Sequence, residues 1–140
     1  MFVQVLFYLD NPIVERITAR YSNGFYNFQN ANPILPPVGQ NKEAELWLYV
    51  QKYISALNLV YKRRKLSTDK KKTNIHFYPI LLYGKDKEII RAWQNNVKSM
   101  DTQDTFIAMG EYLNSDPDLD PDMVIILSGM DSHYAKSGHR

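Results

Sequence analysis

The sequence of 140 residues contains no cysteine. Disulfide bonds, thiolate nucleophiles, zinc fingers and iron–sulfur clusters are therefore excluded from its chemistry. Neither sign of charge dominates, since the sequence has 17 Lys and Arg and 15 Asp and Glu, which gives a net charge of +2 with His neutral. That balance excludes a globally basic nucleic-acid-binding protein and an acidic tail protein. The apolar start ends at Leu9 and is too short to span a bilayer.

Several catalytic motifs are also missing. The sequence has neither a P-loop nor a Rossmann glycine fingerprint, and Ser128-Gly129 lacks the G-x-S-x-G elbow of serine hydrolases. The three histidines show no metal-ligand spacing. What remains is an ordinary globular composition, 44% hydrophobic and 23% charged, at the size of one domain. We expect a cytoplasmic protein without membrane association.

Three apolar runs predict buried strands. They are Phe2–Leu9, Ile75–Tyr83 and Met123–Leu127. Near-continuous apolar runs of this length are typical of strands that are buried on both faces, as in parallel sheets. Pro79 cannot donate a hydrogen bond to a neighbouring strand, so it predicts an edge position or a bulge for the second run.

Four segments between and beside these runs predict helices. After Asp10, Asn11 is a candidate cap and Pro12 a candidate first residue, although a hairpin over residues 16–28 competes with this helix. The longest candidate runs from Asn41 to about Leu66. Asp86 is predicted to cap a third helix, and Thr102 or Asp104 to begin a fourth. The residues predicted to face inward are Leu46, Val50, Ile54, Leu57 and Tyr61 in the longest helix, Ile89, Ile90, Trp93 and Val97 in the third, and Phe106, Met109, Gly110 and Leu113 in the fourth.

Strands that alternate with helices predict the fold class. We expect a single α/β domain over residues 1–140, a three-layer sandwich with a mostly parallel central sheet and helices on both faces. A long loop is predicted at about residues 24–40, where prolines and glycines interrupt regular structure. A mobile polar tail is predicted at about residues 131–140.

Carboxylates follow or precede the predicted strand ends. Asp10 ends the first strand, Asp101 and Asp104 begin a helix, and Asp131 follows the last strand. Because binding sites in parallel sheets form beyond the carboxyl ends of the strands, acids gathered there could hold Mg²⁺ or Mn²⁺ and activate water. The alternative is that these acids cap helices or lie in solvated loops.

Charge is unevenly distributed along the chain. Residues 62–72 carry seven bases and one acid, whereas residues 101–122 carry seven acids and no base. The basic segment could bind a nucleic-acid backbone, or it could be a solvated helix end and linker. These two segments of opposite charge could also bind a protein partner or a second copy of the chain. The candidate nucleic-acid-binding residues are Lys62, Arg63, Arg64, Lys65, Lys70, Lys71 and Lys72.

Three short pieces together resemble the NYN branch of PIN-like nucleases. They are Asp10-Asn11 after the first strand, Lys98-Ser99-Met100-Asp101 before a helix, and the strand 123–127 followed by Ser128-Gly129 and Asp131. The resemblance implies a three-layer α/β fold and a metal-dependent ribonuclease, with Asp10, Asp101 and Asp131 as catalytic residues and Asp10, Asp101 and Asp104 as metal ligands. Order and spacing match across most of the chain.

The sequence departs from that family in two of its motifs, and both acids of the final signature are displaced. The family signature S-G-D-x-D-F reads Ser128-Gly129-Met130-Asp131-Ser132-His133 here, and a helical acid of the family falls near Ile107. Asp104 or Glu111 would have to replace that acid. The resemblance therefore implies either an active enzyme or an inactive relative that binds RNA. The alternative is a small non-catalytic accessory or mobile-element regulator that binds a protein partner.

Overall fold

The computed structural model describes residues 1–20, 42–64 and 75–134. Helices and strands both occur along these residues, so the fold is mixed α/β. The loop predicted at residues 24–40 lies outside them. In chain order the elements are β1 (Phe2–Leu9), α1 (Asn11–Arg20), α2 (Lys42–Arg64), β2 (His76–Tyr83), α3 (Asp86–Ile89), β3 (Ala92–Trp93), β4 (Asn96–Asp101), α4 (Thr102–Ser115), β5 (Met123–Leu127) and β6 (Asp131–His133).

The central sheet has the strand order β2-β1-β5, and both pairings are parallel. β1 lies in the middle, where Val5 pairs with Pro79 on one side and with Met123 on the other. Residues 5–9 are fully buried, which confirms the prediction for that part of the first apolar run. Among the described strands β2 pairs only with β1, so the edge position predicted from Pro79 is also confirmed.

Side chains of β1 alternate between two apolar clusters because successive residues of a strand point to opposite faces. On one face Val5, Phe7 and Leu9 contact residues of α1 and α2. On the other face Leu6 and Tyr8 contact residues of α3 and α4. The helical members of the first cluster are Val14, Ile17, Leu46, Val50 and Ile54, and those of the second are Ile89 and Met109.

α1 resolves the alternative between a helix and a hairpin for the residues that are described. Residues 11–20 are helical, so no strand begins at Arg16. The cap differs from the prediction: Asp10, not Asn11, accepts a hydrogen bond from the main-chain N–H of Ile13 at 2.9 Å. α2 confirms the long helix, with three residues of the predicted face buried.

The third predicted helix is wrong beyond its first turn. α3 is only four residues long, its N-cap is Lys85 rather than Asp86, and Ile90 is already extended. β3 and β4 then form an antiparallel pair around Gln94 and Asn95, whose φ angles are 50° and 63°. Two successive residues with positive φ make the tight hairpin turn that suits right-twisted strands, and Asn tolerates that conformation. The spacing of apolar residues did not reveal this local turn.

α4 begins at Thr102, as predicted, but its buried face is rotated from the expected one. Thr105, Ala108 and Met109 are buried, whereas Phe106 and Gly110 are exposed, contrary to the prediction. Residues 105, 108 and 109 form one stripe at helical spacing, in which Met109 packs against Leu6 and Tyr8 and Thr105 accepts a hydrogen bond from the N–H of Arg91. β6 then pairs in parallel with β4, and residues 135–140 lie outside the described part of the chain.

Candidate functional site

The carboxyl ends of the three parallel strands meet at one edge of the central sheet. Asp10 follows β1, Asp86 comes three residues after the end of β2, and Ser128-Gly129 follows β5. Gly84, with φ of +78°, turns the chain away from β2, a conformation that residues with a Cβ rarely adopt. This edge is the place where the topology of an open parallel sheet favours a binding crevice.

Asp10 is fully buried, and its carboxylate holds two strand ends together. Oδ1 accepts hydrogen bonds from the main-chain N–H groups of Ile13 at 2.9 Å and Gly129 at 3.0 Å. Oδ2 accepts a short hydrogen bond from the hydroxyl of Ser128. The main-chain N–H of Asp10 donates to the carbonyl of Leu127 at 3.2 Å. Asp10 therefore joins β1, the start of α1 and the segment after β5.

A second carboxylate lies beside the first. Asp86 accepts a short hydrogen bond from the hydroxyl of Tyr8 on Oδ1 and one from the main-chain N–H of Asn11 at 2.8 Å on Oδ2. The Tyr8 hydroxyl in turn accepts from the N–H of Lys85 at 3.1 Å. Burial, followed by the hydrogen bond to Asp86, raises the pKa of Tyr8 far above its ordinary value. Tyr8 therefore stays neutral and acts as a donor.

These two carboxylates satisfy the start of α1. A helix begins with N–H groups that have no partner within the helix, and such groups can bind an anion. Here Asn11 donates to Asp86, Pro12 has no N–H, Ile13 donates to the Asp10 side chain and Val14 donates to the Asp10 carbonyl at 3.0 Å. The first turn of α1 thus presents no unpartnered main-chain donor to a ligand.

The segment after β5 packs closely against the start of α1. A Cβ placed on Gly129 would lie 2.9 Å from main-chain atoms of Pro12 and Ile13, so only glycine fits without a shift. The Gly129 carbonyl also accepts a hydrogen bond from Arg16 at 2.9 Å. Ser128 accepts from the N–H of Met130 at 2.9 Å. These contacts fix the loop that follows β5.

The remaining candidate acids lie on the smaller sheet, whose strand order is β3-β4-β6, and on α4, which follows β4. Asp101, the last residue of β4, caps α4 through a 3.0 Å hydrogen bond from the N–H of Asp104. Asp131 is exposed on β6 and pairs in register with Ser99. The structure thus brings Asp101 and Asp104 together as a helix cap, whereas the hydrogen-bond partners of Asp10 are residues around the central sheet.

The arrangement does not fit a divalent metal ion held by Asp10. Mg²⁺ and Mn²⁺ need accessible carboxylate oxygens, often with several water molecules. The Asp10 oxygens already accept three hydrogen bonds in a fully buried position. Within residues 1–20, 42–64 and 75–134, no three or more His, Asp or Glu side chains are grouped to hold a metal ion.

The basic candidates lie at the end of α2 and beyond. Lys62, Arg63 and Arg64 are the last three residues of that helix, whereas Lys65 and residues 70–72 lie outside the described residues. The ring of Tyr61 lies 5.0 Å from that of Phe77, the second residue of β2. The basic end of α2 is therefore held beside the start of the edge strand.

A shallow depression of about 190 Å³ lies between α4 and the segment that follows α3. It is lined by Arg91, Asp104, Ile107, Ala108 and Glu111. Asp104 and Glu111, the two acids that would have to replace the helical acid of the family pattern, both line it. The depression is too small and too open to enclose a drug-sized ligand, since the pockets that bind such ligands ordinarily measure roughly 300 Å³ or more.

Sequence reasoning located this edge of the sheet but missed two of its residues. The sequence pattern places Tyr8 in the apolar strand and Asp86 at a helix cap, and neither role marks the residue as part of a site. The position of Asp86 just beyond β2 was the available signal, because it places a third polar segment at the edge that Asp10 occupies. The hydroxyl of a buried tyrosine needs a partner, which was the signal at Tyr8.

No family model matches the chain, and neither curated proteins nor solved structures include a significant match. No helix in the described part of the chain is long and apolar enough to cross a membrane.

Proposed function

We propose that the chain is a cytoplasmic PIN/NYN-like domain, a three-layer α/β sandwich, that binds RNA and does not cleave it. The observation that carries this proposal is the junction of Asp10 with Ser128 and Gly129. These residues come from two of the three pieces that resemble the family, and they are more than a hundred positions apart in the sequence. Their direct hydrogen bonds bring two of these three pieces into one place in the fold, which supports the proposal.

The same junction argues against cleavage. The acid expected to hold a metal ion is buried and acts as a structural acceptor. Met130 and Ile107 stand where the family pattern has acids. Asp86, the other carboxylate that the described residues place at this crevice, accepts hydrogen bonds from Tyr8 and from the N–H of Asn11, so both acids serve as structural acceptors and not as groups that hold a metal ion to activate water. We therefore derive no metal-assisted step.

RNA binding is supported by charge rather than by the crevice. The segment 62–72 carries seven bases, and the Tyr61–Phe77 contact holds its helical part beside β2. Lys and Arg bind phosphates and release counterions, so affinity should fall steeply with salt. We propose Lys62, Arg63, Arg64, Lys65, Lys70, Lys71 and Lys72 as the residues that contact the RNA backbone.

The experiment is a salt titration of binding to a labelled single-stranded 12-mer of RNA, with the triple variant Lys70→Ala, Lys71→Ala, Lys72→Ala. The wild-type protein should bind, and log K should fall linearly with log salt. The triple variant should weaken binding and reduce the slope by about 2, since each lost contact to a single strand contributes roughly 0.7. An unchanged slope would show that these lysines do not contact RNA.

The second candidate is an accessory protein that binds a protein partner or a second copy of itself. The observation in its favour is the pair Phe106 and Ile107, adjacent on α4 and each 55% exposed. Adjacent exposed apolar residues are typical of interaction surfaces. Light scattering after gel filtration tests the second-copy form: a dimer that Phe106→Asp converts to a monomer supports it, and a monomer at all concentrations contradicts it.

A further inference from the structure

Within the described residues, no element covers one half of one face of the central sheet. On the face that contacts α3 and α4, the side chains of Leu6 and Tyr8 are fully buried. Towards the amino end of the same strand, Phe2 is 65% exposed and Gln4 is exposed. The two helices cover the carboxyl half of this face, and the amino half remains open among the described residues.

Aromatic side chains occupy this open half. Phe2 pairs in register with His76, and Gln4 pairs with Tyr78, so these residues share one face of neighbouring strands. The Phe2 ring lies 5.2 Å from the Tyr78 ring and 6.0 Å from the His76 ring, with interplanar angles of 52° and 38°. Tyr78 is 47% exposed and His76 is exposed. We call Phe2, His76 and Tyr78 the aromatic platform.

The charges around the aromatic platform are of opposite sign on its two sides. On the β2 side, the end of α2 lies along the outer edge of the strand, where Asn58 accepts a hydrogen bond from the N–H of Phe77 at 2.9 Å and donates one to its carbonyl at 3.4 Å. The Phe77 side chain faces α2, on the other side of the sheet from the aromatic platform, and the last three residues of that helix are Lys62, Arg63 and Arg64. On the β5 side, Asp122 accepts a hydrogen bond from the N–H of Gln4 at 2.9 Å. A polyanion is therefore attracted along the outer edge of β2 and repelled from the β5 side.

We propose that the aromatic platform stacks the bases of single-stranded RNA, with the phosphates along the edge of β2. Exposed aromatic rings on a sheet face bind bases because every base has a π face, and a basic border follows the backbone. Duplex RNA keeps its bases stacked inside the helix and cannot offer them to the rings. This inference rests on the proposed RNA-binding function and assigns its base-contacting surface.

The test measures the binding of a 5′-labelled single-stranded RNA 12-mer by fluorescence anisotropy, with the purification tag at the C-terminus so that Phe2 stays unobstructed. Phe2→Ala and Tyr78→Ala should each weaken binding about tenfold, since stacking of one base is commonly lost on alanine substitution. The salt slope should stay unchanged, because the rings release no counterions. An unlabelled RNA duplex should compete poorly.

The matched control is Leu48→Ala, which removes a large apolar side chain of α2 that is 68% exposed, close to the 65% of Phe2. It should bind RNA like the wild type. Circular dichroism and the unfolding midpoint confirm that each variant is folded, and the half-exposed positions make that outcome expected.

The possible failures are distinguishable. If the wild-type protein binds the single strand and both platform variants bind it equally well, the aromatic platform is refuted and the proposed function stands. If the wild-type protein does not bind RNA at all, the proposed function fails and the platform inference fails with it.

Discussion

Replacing Asp10 should destabilise the protein by an amount that the structure allows us to work out. Asp10→Ala removes the cap of α1, which costs about 1 kcal/mol. It also leaves the Gly129 N–H and the Ser128 hydroxyl without their acceptor at a buried junction, at roughly 1–3 kcal/mol for each unsatisfied donor. Since such contributions are not additive, we expect a loss of about 3 kcal/mol in the free energy of unfolding.

Asp10→Asn should cost about 1 kcal/mol, because the amide keeps an oxygen in the place of Oδ1 for the N–H groups of Ile13 and Gly129. The assay is urea unfolding followed by circular dichroism, with Asp120→Ala as the control. Asp120 is exposed before β5, and its replacement should change stability by less than about 0.5 kcal/mol.

The order of stability among Asp10→Ala, Asp10→Asn and Asp120→Ala decides whether the Asp10 carboxylate is a structural acceptor. If Asp10→Ala unfolds at the same urea concentration as Asp120→Ala, the carboxylate is not a structural acceptor, and the argument against a metal role at this position fails. If Asp10→Asn is as damaging as Asp10→Ala, the charge rather than the acceptor geometry would be responsible, and our account of Oδ1 would be wrong.

Two further predictions concern the same edge of the sheet. Burial and the bond to Asp86 raise the pKa of Tyr8, so above pH 10 the unfolded chain loses a proton that the folded chain keeps, and stability falls with pH. Tyr8→Phe should lower the free energy of unfolding by about 1–3 kcal/mol at pH 7, and the stability of this variant should fall less steeply above pH 10 than that of the wild type. Equal pH dependence of the two proteins above pH 10 would contradict this. Gly129→Ala should lower the free energy of unfolding by about 1–3 kcal/mol, and with it the melting temperature, because the added Cβ meets the start of α1. Gly110→Ala has open space around the added Cβ and should raise the free energy of unfolding by up to about 1 kcal/mol. Equal melting temperatures of the two variants would contradict this.

The central strands could be predicted because their signals are strong and local. A buried parallel strand must be apolar on both faces, so β1 was recognisable as a run. β5 was recognisable as a strand by the same signal, although its residues are only partly buried or exposed. Pro79 placed β2 at an edge because a proline cannot donate to a neighbour. The topology rule then indicated the edge where Asp10 and Ser128 meet, since the carboxyl ends of parallel strands lie together.

The region from Asp86 to Asp101 could not be predicted, because its apolar residues fit helical spacing as well as a hairpin. The decisive feature is the pair of positive φ angles at Gln94 and Asn95, and neither residue is a strong turn signal like Asn-Gly. The chemistry at Asp10 was equally hidden. A carboxylate at a strand end serves a metal ion or a helix cap, and only the positions of Ile13, Ser128 and Gly129 favour the cap.

The central claim is that the chain binds RNA without cleaving it, and one sample tests both halves. Labelled single-stranded RNA is titrated with the wild-type protein in Mg²⁺ or Mn²⁺, binding is read by anisotropy, and the same sample is then run on a denaturing gel beside an EDTA control. We predict saturable binding and full-length RNA in every lane. Shortened RNA that appears only with the metal, or no binding at low salt, would contradict the account.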